Sequence, residues 1–547
     1  MEKDIPKENL TLSTKIIHRV KQKNFLGRAL FDPVERSHKI SQRSPERSVL
    51  TFDPDKGKAA QGQKRKSSYK KAFDSIRNPQ KQSQILLKKP YQHSCKCAIL
   101  FVNDVGVKSP DFDATYCRKG PKMKYAYCNG KILNGTKDMQ VQEGLCILTD
   151  GGKITDIVPK EQVPAEYEAV DLAGKYIMPG LINMHVHLAG SGKPQKKQRD
   201  NEKLVRNLMG TALSRAVAYK VVSGFAKTEL MSGVTTIRTV GGLGDFDTRL
   251  RDEIKAGKTG PRILAANQGI SVPGGHMAGS VAVAAKNNEE ALAHLAQAEK
   301  EKVDLVKLMI TGGVLDAKEK GVPGELKMPP EMVKAVCDKA HEAGFIVSAH
   351  VESPQGVKVA LQNGVDSIEH GAKLDDEMIA LFKERGAFLC TTISPALPYA
   401  LFDRSVTNAS EVEQYNGNVV FEGIVECAKQ ALANDIPVVL GNDVGCPWIT
   451  QYDFWRELYY FHKYVGVSNA FALYTATARS AEMAGIGDVT GTLEKGKAAD
   501  MIVTKENPLD DLKALRHVDM VVASGRLIRN PRFKRRKQVE AELDKFL

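Results

Sequence analysis

The sequence predicts an α/β protein: a (β/α)₈ TIM barrel carrying a small β-sandwich built from both flanks of the barrel. Three observations lead there. Short apolar runs alternate with amphipathic helical stretches over residues 178–485, potential metal ligands recur where those runs end, and turn-punctuated β segments occupy 123–177 and 486–530.

The first 122 residues stand apart. They hold 27 Lys and Arg against 12 Asp and Glu, whereas the remainder is balanced at 52 against 53. Patches such as KGKAAQGQKRKSSYKK show no sustained period, and disorder is the expectation for such composition. One apolar run, CAILFVNDVGV, is long enough for a strand, and His93, Cys95 and Cys97 form an H-x-C-x-C that either binds a metal or is a chance spacing. Arg118-Lys119-Gly120 can be written in purine-only codons, as a bacterial ribosome-binding site would be. The segment is therefore read as a basic extension or as translated upstream leader, and peptides mapping before Met123 would overturn the second reading.

From Met123 the character changes. MKYAYCNGKILNG and GLCILTDGGKITDIV read as strands separated by Asn-Gly and Asp-Gly-Gly turns. Barrel strands follow in YIMPGLINMHVHL, VTTIRTV, RILAANQGI, LVKLMITGG, FIVSAHV, DSIEHG, AFLCTTIS and PVVLGNDVG. Helices lie between them, PPEMVKAVCDKAHEAG and DDEMIALFKERG each closing on glycine. GTLEKGKAADMIVTKEN and DMVVASGRLI return to β signals and are expected to join the opening strands in one sandwich, leaving 531–547 as a basic, helical tail.

His185 and His187 lie two apart on the first barrel strand, so both side chains share a face and can grip one ion. His350 ends the fifth strand, His370 the sixth, and Asp443 the eighth. Catalytic groups of a barrel enzyme gather at these C-terminal strand ends. Lys307, on the fourth strand, is costly to bury as an ammonium. Either it pairs with an acid, or desolvation frees its amine to react with CO₂ and form an anionic carbamate that bridges two metals.

These segments, in this order, resemble the amidohydrolase superfamily. Within it they are similar to the branch of prolidase-like carboxypeptidases, imidazolonepropionase-related proteins and the ochratoxin-cleaving amidase. The resemblance spans 123–547 and includes MPGLINMHVHL, GPRILAANQGISVPGGH, VDLVKLMITGGV, AHEAGFIVSAHVES, GVDSIEHG, LGNDVG and TATARSAEMAGIGDVTGTLEKGKAADMIV. It implies a hydrolase acting on C–N bonds with two divalent ions, zinc being the usual metal. His185, His187 and Asp443 would hold one ion, His350 and His370 the other, and carboxylated Lys307 would bridge them. Attack by a metal-bridging hydroxide would follow, with Asp443 moving the proton to the leaving nitrogen.

His276, in SVPGGHMAG, is a second catalytic candidate that would polarise a carbonyl or bind substrate, set against a loop histidine without a role. Two departures from the usual pattern bear on substrate: A-H-V-E-S puts Glu352 where a second histidine is common, and IRTVGG carries Thr239 where an aspartate is usual. Tyr399 and Arg238 are candidates for meeting a substrate carboxylate, with structural roles equally open. The favoured substrates are prolidase-like dipeptides or N-acyl amino acids. A mononuclear imidazolonepropionase-like or deaminase-like enzyme is the alternative, and a catalytically inactive barrel used for binding is a distant one.

Composition narrows the rest. No run of about 18 uncharged apolar residues occurs, and MEKDIPKENL lacks the apolar stretch of a secretory signal. A cytoplasmic enzyme with no membrane partner is therefore expected, and a homo-oligomer is the expected assembly. The balanced charge of 123–547 argues against nucleic acid as a partner and for a small-molecule substrate. The nine cysteines contain no C-x-x-C and are expected to be reduced, mostly buried thiols.

Overall fold

A computed structural model describes residues 124–195 and 200–547; the basic segment, with CAILFVNDVGV and His93, Cys95 and Cys97, lies outside the described residues. The chain opens with β1 (Tyr125–Cys128), β2 (Lys131–Leu133), β3 (Val141–Gln142), β4 (Leu145–Asp150), β5 (Lys153–Pro159), β6 (Glu168–Asp171) and β7 (Tyr176–Pro179). Strands separated mostly by helices follow: β8 (Leu181–Val186), β9 (Val234–Thr239), β10 (Arg262–Ala265), β11 (Gly269–Ser271), β12 (Ala282–Ala284), β13 (Val306–Met309), β14 (Val347–Val351), β15 (Ser367–His370), β16 (Phe388–Thr391) and β17 (Val438–Leu440). The last strands are β18 (Met501–Thr504), β19 (Val518–Ala523) and β20 (Arg526–Arg529).

The opening and closing strands make two sheets, β5-β4-β1-β6 and β20-β19-β18-β7-β2-β3. Pairing of Met501 with Pro179 and of Thr504 with Tyr176 puts β18 beside β7, so the two flanks of the chain share one sheet. Tyr127, Ile147 and Val170 of the first sheet pack with Ile132, Ile177, Met501 and Val503 of the second in one apolar cluster. Asp150-Gly151-Gly152 closes the β4–β5 hairpin. Asn129-Gly130 does not close one, because the chain leaves the first sheet at β1 and enters the second at β2.

Cys128 and Cys146 stand on paired strands β1 and β4 and form a disulfide, which corrects the expectation of reduced thiols throughout. Antiparallel register brings the two together across 18 residues, a juxtaposition that spacing alone does not reveal. Cys337, Cys390, Cys427 and Cys446 are free.

The central strands are all parallel and form two sheets, β10-β9-β8 and β12-β11-β13-β14-β15-β16-β17. Both faces are covered, as parallel sheets require, so β8, β9, β13, β14 and β15 are buried along their whole length. RILAANQGI, expected as one strand, is two. Asn267 adopts a left-handed φ of 56° between β10 and β11, its side chain held by Thr248 and Glu301. The residues just past β17 run against β8: Asp443 N–H donates to His185 O at 3.1 Å and His187 N–H to Val444 O at 3.0 Å. A Cβ at Gly441 would sit 2.3 Å from His185 Cβ, so only glycine lets these segments approach.

The helix Pro330–Glu342 turns Met332, Val333, Val336, Cys337 and Ala340 inward at helical spacing and gives way to Gly344 at φ 86°. Asp376–Arg385 starts on an Asp375 cap and stops at left-handed Gly386. The C-terminal helix Lys537–Leu543 docks through Val539, Leu543 and an ionic cluster in which buried Arg456 meets Asp453, Glu540 and Asp544. Deleting residues 531–547 would leave Arg456 facing Asp453 alone, and stripping partners from a buried charge costs about 3–5 kcal/mol. A lowered urea midpoint is the expected result; an unchanged midpoint would count against this anchoring role.

Candidate metal centre

At the C-terminal ends of the parallel strands six groups come together: His185 and His187 on and just after β8, Lys307 on β13, His350 on β14, His370 on β15 and Asp443 after β17. None is more than 8% exposed. Asp443 Oδ1 lies 3.5 Å from His185 Nε2 and 3.4 Å from His187 Nε2. The His370 ring stands 4.8 Å from that of His185 and 4.6 Å from that of His350. His370 and Asp443 hold left-handed backbones at φ 68° and 52°, strain of the kind that collects at functional sites.

Each histidine has one ring nitrogen engaged by the protein. His185 Nδ1–H donates to Glu369 at 2.8 Å and His187 Nδ1–H to Gly241 O at 2.9 Å. His350 Nε2–H donates to Gly312 O at 3.2 Å, and His370 Nδ1 pairs with the Thr392 hydroxyl at 2.6 Å. For His185, His187 and His350 the partner only accepts, so the other ring nitrogen carries a lone pair, and His370 has the same arrangement in the tautomer that donates to Thr392; metal-ligating histidines are held in this way. Burial lowers the basicity of all four, taking His187 to about 4, so they are neutral and ready to ligate.

Two groups have ligand atoms within 4.8 Å of one another and suit a cation: His185, His187 and Asp443, and His350, Glu352 and His370. A third group, His185, Glu369 and Cys390, is committed elsewhere. Glu369 accepts from Arg238 at 2.7 Å, from Ser348 and Ser367, and from His185. Although burial opposes its charge, Arg238 and His185 hold its carboxyl well below the usual range.

Lys307 is buried, and its ammonium nitrogen has no hydrogen-bond partner. Burial, helped by the Arg238 charge, brings it down to about 8 against the pull of Glu369 and Asp443. The reading of Lys307 as one half of a salt bridge has no counterpart among the described ion pairs.

The remaining candidates divide. The His276 ring stacks on His350 at 3.9 Å, and its Nδ1 pairs with Asp316 at 2.5 Å. Asp316 also accepts from Gly313 N–H, so a short loop orients His276 at the mouth of the site. Glu352 Oε2 is enclosed without a hydrogen-bond partner, and burial pushes its carboxyl up to about 8. Tyr399, on the helix Ile393–Leu401, is half-buried, and burial raises its hydroxyl above the usual tyrosine range.

Arg238 departs from the expectation of a carboxylate-binding role. It is 1% exposed, and its guanidinium donates to Met184 O, Ser367 and Glu369, so burial and these bonds turn it to the protein's own groups. Thr239 ends β9 and is likewise fully buried. Sequence reasoning missed Glu369, Asp316 and Cys446, whose thiol donates to Asp443 Oδ2 at 3.3 Å. Glu369 is the residue before His370, and the alternation of a regular strand would turn it away. The left-handed backbone at His370 lets both meet His185.

Known proteins share this architecture. A crystal structure of a candidate prolidase from Bifidobacterium longum is 37% identical, superposes with a TM-score of 0.68, and matches 77% of this chain and 98% of its own. A Xaa-Pro dipeptidase solved with methionine in its active site is 29% identical at a TM-score of 0.65, over 74% of this chain and all of its own. Ochratoxinase from Aspergillus niger is 24% identical over 385 residues, 65% of this chain and 76% of that enzyme. The amidohydrolase family profile matches residues 176–528, well over half of the sequence, and the chain belongs to that family of hydrolases.

Proposed function

We propose that the chain is a binuclear metal-dependent amidohydrolase that cleaves an amide or peptide-like C–N bond of a small molecule, with Xaa-Pro-type dipeptides or N-acyl amino acids as substrates. The observation that carries this reading is the set of four buried histidines, each with one ring nitrogen held by the protein, with His185 and His187 turning the other toward Asp443. His185, His187 and Asp443 would hold one divalent ion, with zinc favoured by the N/O donors, and His350 and His370 the other. Lys307 as a carbamate would serve both, which its buried, unpartnered and weakly basic nitrogen supports. The eight strands β8, β9, β10 and β13 to β17 are read as one closed barrel, supported by the backbone bonds between β8 and the residues after β17.

When bound, the two ions would polarise the scissile carbonyl and acidify the attacking water. Asp443 accepts the proton of that water and returns it to the leaving nitrogen, with Cys446 steadying the second carboxylate oxygen. His276, fixed through Nδ1 by Asp316, presents Nε2 for the substrate's carbonyl or carboxylate. Supporting groups of this kind are worth about 10- to 100-fold, so Asp316→Asn is expected to lower kcat/KM by about that much while zinc content stays unchanged. Unaltered kinetics would remove Asp316 from this role.

The dipeptide preference draws on the two prolidase-type structures at 37% and 29% identity. Self-association is also expected; exposed Leu213, Val217 and Val221 form a stripe of four-residue spacing on the helix Ala212–Met231. The test is metal analysis of the purified chain together with a screen of Xaa-Pro and Xaa-Arg dipeptides, N-acyl amino acids and lactams. Two zinc per chain and turnover of an Xaa-Pro dipeptide are expected. One ion per chain would shift the assignment to a mononuclear enzyme, and no turnover of any amide would defeat it.

A further inference from the structure

We infer that Glu352 is itself a cation ligand, the third protein group at the His350 and His370 position, in addition to the carbamate that Lys307 would supply there. The inference rests on the binuclear reading above and extends its ligand set. Three observations lead to it.

Geometry comes first. Glu352 stands two residues beyond His350, just past the end of β14, and its carboxylate oxygen and the two imidazole nitrogens lie within 4.8 Å of one another. The hydrogen bonds of His350 Nε2 to Gly312 O and of His370 Nδ1 to Thr392 leave the opposite nitrogen of each ring for the same ion. A Cβ at Gly313 would lie 3.3 Å from Glu352 Oε2, so the glycine keeps the space around this oxygen open.

Charge comes second. Glu352 Oε2 is buried without a hydrogen-bond partner; the Val314 N–H approaches the carboxylate, while the charged groups acting on it are the anions Asp443 and Asp316. In that place the carboxyl holds its proton unless a positive charge stands beside it, and a cation shared with His350 and His370 would supply that charge. The two buried cationic side chains of the site do not provide it: Arg238 is spent on Glu369, and Lys307 makes no hydrogen bond.

Third, the charge count fits. Two dications bring four positive charges, and Asp443 with a Lys307 carbamate offers two negative ones. Glu352 makes three. On this view the A-H-V-E-S departure does not reshape substrate binding but adds an anionic donor where a neutral histidine is common.

The experiment uses the full chain loaded with zinc. Anomalous diffraction at the zinc edge is expected to place one of two ions about 2.0–2.2 Å from a Glu352 oxygen. Titration of metal-free Glu352→Gln with zinc is expected to show one of the two affinities weakened at least tenfold and the other unchanged. Two ions without a Glu352 contact, or unchanged affinities in the variant, would overturn the inference and leave the binuclear reading standing. A single ion on His185, His187 and Asp443 would overturn both. The diffraction arm decides the matter even if the variant folds poorly.

Discussion

Replacing Asp443 by asparagine is expected to lower kcat by about 10²- to 10⁴-fold, the range spanned by a positioned general acid–base group. Asparagine keeps the shape and one oxygen, so the Cys446 hydrogen bond and the contacts of the loop after β17 can persist. What disappears is the negative charge facing His185 and His187 and the ability to take up a proton. The loss should appear in kcat more than in KM, because the carboxylate acts in the transition state and not in holding substrate. Zinc content read alongside separates the two duties: retention of both ions with a collapsed kcat isolates proton transfer, and loss of one ion shows that ligation dominates. A kcat within tenfold of the parent would remove Asp443 from both roles.

Much of this site is legible in the sequence because strand ends carry their own signature. His185 and His187, His350, His370 and Asp443 each close an apolar run, and Lys307 interrupts one. The parallel topology brings those run ends together, so a one-dimensional regularity becomes a cluster. Helix ends were equally readable, since Gly344 and Gly386 adopt the left-handed backbone that terminates a helix.

What escaped depends on backbone departures and on partners distant in sequence. Glu369 sits beside His370 and regular alternation would part them, yet the φ of 68° at His370 turns both to His185. Asp316 is 40 residues from His276, and only the folded loop brings them together. For Arg238 the sequence leaves a carboxylate-binding and a structural role equally open; its partner is a carboxylate, but the protein's own Glu369. Asn267 divides a run that composition presents as continuous, and the Cys128–Cys146 bridge follows from a register that no local pattern encodes.

Replacing Lys307 by alanine is expected to abolish measurable hydrolysis, by about 10³-fold or more if its carbamate supports both ions, and to lower the zinc content. Alanine leaves a cavity, so the more telling measurement uses the unaltered chain. Strip the zinc, then restore it with and without bicarbonate, its total adjusted so that dissolved CO₂, the species that reacts with the amine, is the same at each pH. Carbamate formation needs the neutral amine, and burial has brought Lys307 to about 8. The neutral fraction then rises from about a tenth at pH 7 to about nine-tenths at pH 9, and the bicarbonate-dependent rate of recovery should rise about tenfold over that interval. An ordinary lysine near 10.4 would give a rise of nearly a hundredfold, because almost none of it is neutral at pH 7. The steepness of recovery therefore reports whether the Lys307 amine is desolvated, and the bicarbonate requirement reports whether it becomes a ligand. Recovery that ignores bicarbonate at both pH values would leave Lys307 a buried amine and return the bridging position to another group.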